Sequence, residues 1–300
     1  MSRYWIAIDW GTTNFRAFLM HGKTQIALIS NSNGLLSIGK MGFSGTLQAS
    51  LAPWLQQYGK LPIIMAGMVG SRQGWEEVPY VAMPCGISEL VTGIRELTTP
   101  WGSPAWIVPG VNGMSAWQQP DVMRGEEVQL LGLNALHPAS EHRVLLPGTH
   151  CKHVHMRDGE ITAFSTFMTG ELFSLLSMHS ILGRDLPAQR ENKEVFLQGV
   201  KAAQHNAPFS HALFSVRTLR LAEKIPEIYI HSYLSGLLIG HELTTLSEFN
   251  RVWIVGSSAL ITRYQLAAEQ LSLSLYPANG DDCFVSGLEL LFTLITGASI

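Results

Sequence analysis

The stretch from Ile6 to Met20, IAIDWGTTNFRAFLM, limits what this chain can fold into more than any other. Ile6, Ala7 and Ile8 have the character of a short buried strand. Gly11 to Asn14 turn the chain, and Phe15 to Met20 run back with apolar residues on both faces, as in a central strand of a sheet. The turn is polar and small. Gly11 lets backbone N–H groups approach a ligand, Thr12 and Thr13 add hydroxyls, and Asp9 at the strand end can hold a hydrated divalent cation. This is the chemistry of a phosphate-cradling hairpin. It is not a G-x-x-x-x-G-K-[ST] loop, because no Lys follows the glycine and a strand, not a helix, comes next.

Three hundred residues suggest two domains of about 150 each, enough to bury a real core. A formal net charge of −3 and only 14% charged residues give no electrostatic reason to expect a nucleic-acid or membrane partner. Cys85, Cys151 and Cys283 are odd in number and have no C-x-x-C spacing, which argues against a disulfide framework and a zinc site and for a cytoplasmic setting. No signal peptide is expected, and no apolar run approaches the ~20 residues of a membrane span.

Further along, Gly45 to Tyr58 has helical periodicity, with a kink or break expected at Pro53. The strand from Leu61 to Ala66 feeds a loop, Gly67-Met68-Val69-Gly70-Ser71-Arg72-Gln73-Gly74-Trp75, that continues to Tyr80. Ligand loops of α/β folds lie at such strand ends, and the planar fork of Arg72 suits a carboxylate or phosphate. The alternative is a solvent-exposed turn with Arg72 paired to Glu76 or Glu77. A helix is expected to begin near Gly125, with Glu126 and Glu127 in its first turn. The helix dipole there favours an ionised carboxylate, ready to accept a proton, although both can equally be ordinary first-turn charges.

The segment from Arg143 to Phe164 repeats the logic of the N-terminus. A strand reaches Gly148-Thr149-His150, turns, runs back, and turns again at Asp158-Gly159. Lys152 can reach a phosphate or carboxylate, and His150 can donate to a phosphoryl oxygen or be an ordinary loop histidine. Glu171 suits the first turn of a helix capped by Thr169. A long helix is expected from Glu227 to Leu243, its Ser232, Ser235, Gly236 and Gly240 allowing either a hinge or a tight helix crossing. Strand Arg251 to Val255, the small residues Gly256, Ser257 and Ser258, and a helix near Ile261 form a surface suited to adenosine and phosphates. A last strand at Leu273 to Leu275, a turn at Gly280-Asp281-Asp282 and a closing helix complete the chain.

In this order the segments resemble the phosphate, connecting, phosphate, connecting and adenosine motifs of the actin, sugar kinase and heat-shock chaperone ATPase superfamily. The resemblance covers essentially the whole chain. It implies an α/β protein of two ribonuclease H-like (actin-like ATPase) domains with a nucleotide and substrate cleft between them, at residues 1–134 and 135–300. The phrases Gly67 to Trp75, Arg124-Gly125-Glu126-Glu127 and Pro147-Gly148-Thr149-His150-Cys151-Lys152 resemble the 2-dehydro-3-deoxygalactonokinase family. That resemblance implies ATP-dependent phosphorylation of the 6-hydroxyl of a 2-keto-3-deoxy sugar acid in galactonate catabolism.

The site residues implied are Asp9, Gly11, Thr12, Thr13, Gly148, Thr149, Gly256, Ser257 and Ser258 for ATP, with Asp9 reaching Mg2+ through water. Asn14, Gly70, Ser71, Arg72, Trp75, Tyr80, His150 and Lys152 are implied for the sugar acid, and Glu126, or its neighbour Glu127, as base. Two departures stand out: Cys151 occupies a position where Ser is usual, and Gly256-Ser257-Ser258 replaces a Gly-Gly pair. Expected partners are the sugar acid and ATP, with a homodimer left open. The rival readings are a kinase for another sugar, a non-catalytic ATP-binding regulator and a phosphohydrolase. No residue reads the sugar epimer.

Overall fold

The computed structural model describes residues 4–205, 207–246, 249 and 251–297. By its contacts the chain divides into two compact units. The first is Met1–His142, Val154–Phe164 and Gly280–Ile300; the second is Arg143–His153 and Ser165–Asn279. This differs from a single cut after residue 134, because the closing helix returns to the first unit.

In the first unit, β1 (Tyr4–Trp10), β2 (Phe15–His21) and β3 (Thr24–Asn31) form a meander, followed by α1 (Gly42–Tyr58) and β4 (Ile63–Gly67). Next come β5 (Val81–Ala82), α2 (Ile87–Gly93), β6 (Arg95–Thr98), β7 (Pro104–Ile107), β8 (Val111–Met114), β9 (Pro120–Met123) and α3 (Glu126–Leu136). The main sheet has the order β3-β2-β1-β4-β7-β6, and β5, β8 and β9 form a small second sheet. As expected of central strands, Ile6, Ile8, Phe15, Ala17, Ile63 and Met65 are fully buried in one cluster with Leu47, Leu51 and Trp54 of α1. That packing carries α1 through Pro53 without the expected break.

The parallel register of β1 on β4 matters most for function. It sets Asp9 opposite Ala66 and Trp10 opposite Gly67, so the first hairpin and the glycine-rich loop leave the sheet side by side.

The second sheet draws on β10 (Glu141–Leu146), β11 (Cys151–Arg157) and β12 (Glu160–Phe167), of which Val154–Phe164 count with the first unit, and the second unit continues with α4 (Thr169–His179), α5 (Lys193–Ala203), α6 (Phe209–Leu221) and α7 (Ile230–Leu243). After these come β13 (Val252–Gly256), α8 (Ser258–Gln270) and β14 (Leu275–Asn279), and the sheet order is β12-β11-β10-β13-β14. The long helix expected from Glu227 is a 3-10 turn followed by α7. Its small residues serve a tight crossing, since a Cβ on Gly236 would lie 1.9 Å from the Phe196 carbonyl oxygen of α5. The helix expected near Ile261 begins at Ser258, and the last strand runs from Leu275 rather than Leu273.

The turn expected at Gly280-Asp281-Asp282 is instead the first turn of α9 (Gly280–Thr296). Two carboxylates sit well there against the positive end of the helix dipole. No helix among the described residues is long and apolar enough to cross a membrane.

Candidate active site

In the first unit the turn at Gly11–Asn14 is braced by main-chain bonds. The backbone N–H of Leu35 donates to the Gly11 carbonyl (3.0 Å) and that of Leu36 to the Thr12 carbonyl (3.0 Å). The side chains of Thr12, Thr13 and Asn14 are left exposed, as a ligand-facing turn requires. The segment around Gly34 that supplies this brace carried no recognisable signal in sequence.

Asp9 is held by Arg16. Arg16 Nε donates to Asp9 Oδ2 (3.2 Å), Nη2 bonds the same oxygen, and Nη1 pairs with Asp281 in the first turn of α9. Burial would lower the Arg16 pKa, but the charges of Asp9 and Asp281 and their hydrogen bonds outweigh it, and the net shift is upward. Among the described residues no group of three or more His, Cys, Asp or Glu could hold a metal ion. A magnesium ion needs no such cage when nucleotide phosphates and water supply most of its ligands, so Asp9 acting through water fits that chemistry.

The glycine-rich loop and the turn before α3 converge on this strand end. Gly67 has φ +95°, and a Cβ there would lie 2.7 Å from the Trp10 carbonyl oxygen and 3.5 Å from Asp9 Oδ1. Gly125 has φ +110°, with its Cβ position 3.5 Å from Gly67 Cα. Both conformations are open to glycine and strained for other residues.

The two glutamates that follow differ sharply. Glu127 is fully buried, and both its oxygens accept the Gly125 N–H (2.8 and 2.7 Å). Burial, reinforced by the charge of Glu126, pushes its pKa up to about 8, against the pull of backbone hydrogen bonds and Arg124. Glu126 is only half-buried, and its Oε2 accepts the Arg124 N–H at 3.1 Å. Of the adjacent pair, then, Glu126 has access to solvent.

Within the loop Gly70 is buried, Ser71 and Trp75 half-buried, and Arg72 and Tyr80 exposed. Arg124, part of a motif noted in sequence but given no role there, lies against this loop. Its guanidinium Cζ is 4.3 Å from the Tyr80 ring centroid, and Nη2 donates to the Val78 carbonyl (2.8 Å).

In the second unit, parallel neighbours β10 and β13 deliver two of the expected ligand segments together. A Cβ on Gly256 would lie 3.3 Å from Pro147 Cγ, so the loop expected to take adenosine abuts the turn expected to take phosphate. Thr149, His150, Ser257 and Ser258 are exposed. His150 Nε2 meets the Glu171 carboxylate, and the Glu171 N–H donates to the Thr149 carbonyl (2.9 Å), so the first turn of α4 closes on the phosphate turn.

Lys152 is buried, and its ammonium donates to Thr166 Oγ1 at 2.7 Å. That gives it an internal partner. Behind the turn, Cys151 Sγ lies 3.1 Å from Tyr264 Oη, which donates to buried Glu242 at 2.8 Å, and Glu242 also meets His153 Nε2 at 2.9 Å. Burial, with the charge of Glu242, pushes the Cys151 thiol up to about 12. Glu242 and Tyr264 stood unremarked within helical periodicity. A cavity of about 770 Å³ lies beside the N-terminus of α8, lined by Ser258, Ala259, Thr262, Arg263 and the segment Gln189–Lys193, among others. Its size suits a nucleoside.

The 2-keto-3-deoxy-galactonokinase sequence profile matches residues 9–291. The chain belongs to that family. It is 35% identical over 292 residues to the 2-dehydro-3-deoxygalactonokinase of Escherichia coli (strain K12), covering 96% of this chain and 97% of that one. A crystallised Sinorhizobium meliloti protein described under the same enzyme name superposes with TM-score 0.90 at 33% identity, covering 99% of this chain and 98% of its own. At the level of fold alone, the ADPNP-bound activator of 2-hydroxyisocaproyl-CoA dehydratase from Clostridium difficile superposes with TM-score 0.55 at 12% identity, covering 98% of this chain and 96% of its own. The expected α/β, actin-like ATPase fold is borne out by these neighbours.

Proposed function

We propose that this chain transfers the γ-phosphoryl group of ATP to the 6-hydroxyl of 2-dehydro-3-deoxy-D-galactonate, in the cytoplasm, a setting that suits its three buried free cysteines. The names of its relatives support the substrate, and the contrast between Glu126 and Glu127 carries the mechanism. A base must touch the acceptor hydroxyl. Glu127 is fully buried, whereas Glu126 stands half-buried at the positive end of α3, beside the strand end that carries Asp9.

In this reading Glu126 orients the hydroxyl and takes its proton as the new O–P bond forms and the bond from the γ-phosphorus to the leaving ADP oxygen breaks. Because the transition state is loose, most of the catalysis is positioning and charge stabilisation. Thr12 and Thr13 hydroxyls and the backbone at Gly11, Gly148 and Thr149 hold phosphate oxygens, and His150, steadied by Glu171, adds a donor at the second turn. Gly256, Ser257 and Ser258 with the adjoining cavity take the adenosine. Asp9, through water, would hold a magnesium ion, which would neutralise charge on the phosphates. Asn14 and the loop through Gly70, Ser71, Arg72, Trp75 and Tyr80 face the sugar acid.

The test is coupled ADP release over a panel of 2-keto-3-deoxy acids with wild type and Glu126→Gln. Turnover on the galactonate derivative should fall by roughly 10²- to 10⁴-fold in the variant, with ATP affinity retained. Near-normal turnover would remove Glu126 from the role of base. An ATPase rate independent of sugar would point to a phosphohydrolase instead.

A further inference from the structure

Arg124 is the residue whose chemistry is left incomplete. Its Nη2 has the Val78 carbonyl, but Nε and Nη1 are closed off from water and have no hydrogen-bond partner. Neither adjacent glutamate bonds these two nitrogens; Glu126 accepts the Arg124 backbone N–H and Glu127 accepts that of Gly125. Ser71 Oγ, on the same loop, is likewise buried without a partner. The loop is shaped to admit the guanidinium, since a Cβ on Gly70 would lie 2.9 Å from Arg124 Nη1. A guanidinium withdrawn from water with most of its donors unused is an unmet demand for an anion. A guanidinium donates two parallel bonds to a planar, two-oxygen group through either its Nε and Nη2 edge or its Nη1 and Nη2 edge, and because Nη2 gives one of its two N–H groups to Val78, one such edge still has both donors unused.

We infer that Arg124, with Ser71, is the carboxylate clamp of the substrate site, in preference to Arg72, which is exposed in the same loop. The inference rests on the proposed acidic sugar substrate and names the residues that read its acid group. Tyr80 is stacked on the guanidinium and is itself 40% exposed, so a carboxylate reaches the sealed nitrogens only where this ring gives way. Arg124 and Glu126 flank Gly125, so a single turn presents both the clamp for the acid and the base for the hydroxyl.

A carboxylate and the transferred phosphoryl group are both anions, and the test separates them. Activity and affinity are compared for 2-dehydro-3-deoxygalactonate and its neutral carboxamide in wild type, Arg124→Gln, Arg124→Lys and Arg72→Gln. Wild type should prefer the acid in kcat/KM by roughly 10- to 100-fold, the scale of a bidentate charge-assisted pair. The preference should collapse towards parity in Arg124→Gln and be partly kept in Arg124→Lys, with the KM for ATP little changed. The charge-retaining Lys variant also serves as the folding control.

If acid and amide lose turnover equally in Arg124→Gln, the anion is the phosphoryl group or the role is structural, and the clamp is overturned. If the preference survives there, or collapses in Arg72→Gln instead, it is overturned as well. Calorimetric titration with the acid alone reads the same contrast without turnover. A protein that binds the acid through Arg124 but does not phosphorylate it would retain the clamp and refute the kinase assignment, whereas no difference in acid binding between wild type and Arg124→Gln would refute the clamp.

Discussion

Replacing Glu127 with Gln should make the protein more stable than wild type at pH 8 and leave it nearly unchanged at pH 5. The folded-state pKa of Glu127 is about 8, against an ordinary value of 4.5, and burial is the main cause. The folded protein therefore holds a proton that the unfolded chain releases. The contribution of this group to stability is fully present below pH 4.5 and is lost as the pH rises through 8. At ~1.4 kcal/mol per pH unit the loss over that window is on the order of 4 kcal/mol. Gln has the same size, offers a carbonyl to the Gly125 N–H and does not ionise, so the variant lacks this dependence. Calorimetric unfolding of both proteins at pH 5, 6, 7 and 8 isolates the effect, because groups that do not interact with Glu127 cancel in the difference. A difference that stays flat from pH 5 to pH 8 would refute the account of Glu127 as a buried neutral acid.

Two further outcomes can be checked. Gly170→Ala would place a Cβ 2.3 Å from the Gly148 carbonyl oxygen and 2.9 Å from Thr149 Cα. It should therefore displace the phosphate turn, raising the KM for ATP by about tenfold and costing ~1–3 kcal/mol of stability, as overpacking does; unchanged values in both would count against a phosphate role for that turn. All three cysteines are buried and their thiols are pushed up to about 12, chiefly by burial, so the native protein should resist a thiol reagent at pH 8 and react at all three only after denaturation.

Much of the architecture was legible in the sequence because local rules govern it. The apolar run Ile6–Ile8, the turn at Gly11–Asn14 and the return strand each announce themselves by residue type, as does the helix that starts at Glu126. Element edges were less legible where local and tertiary preferences compete. Asp281 and Asp282 look like turn residues but open α9, and Pro53 looks like a breaker but lies in a helix held by Leu51 and Trp54.

Residue type and adjacency could not separate Glu126 from Glu127, and the sequence pointed to Arg72 without giving Arg124 a role. Burial separates them. The fold encloses Glu127 and leaves Glu126 half-open, and it leaves Arg72 in solvent while sealing two nitrogens of Arg124 against the loop. The sequence by itself determined that two glycine-threonine hairpins and a glycine-rich loop would be present. Only the tertiary structure decided which charged group at each place meets water and which must find its partner inside, since desolvation is set by the whole packed surroundings and not by neighbours along the chain.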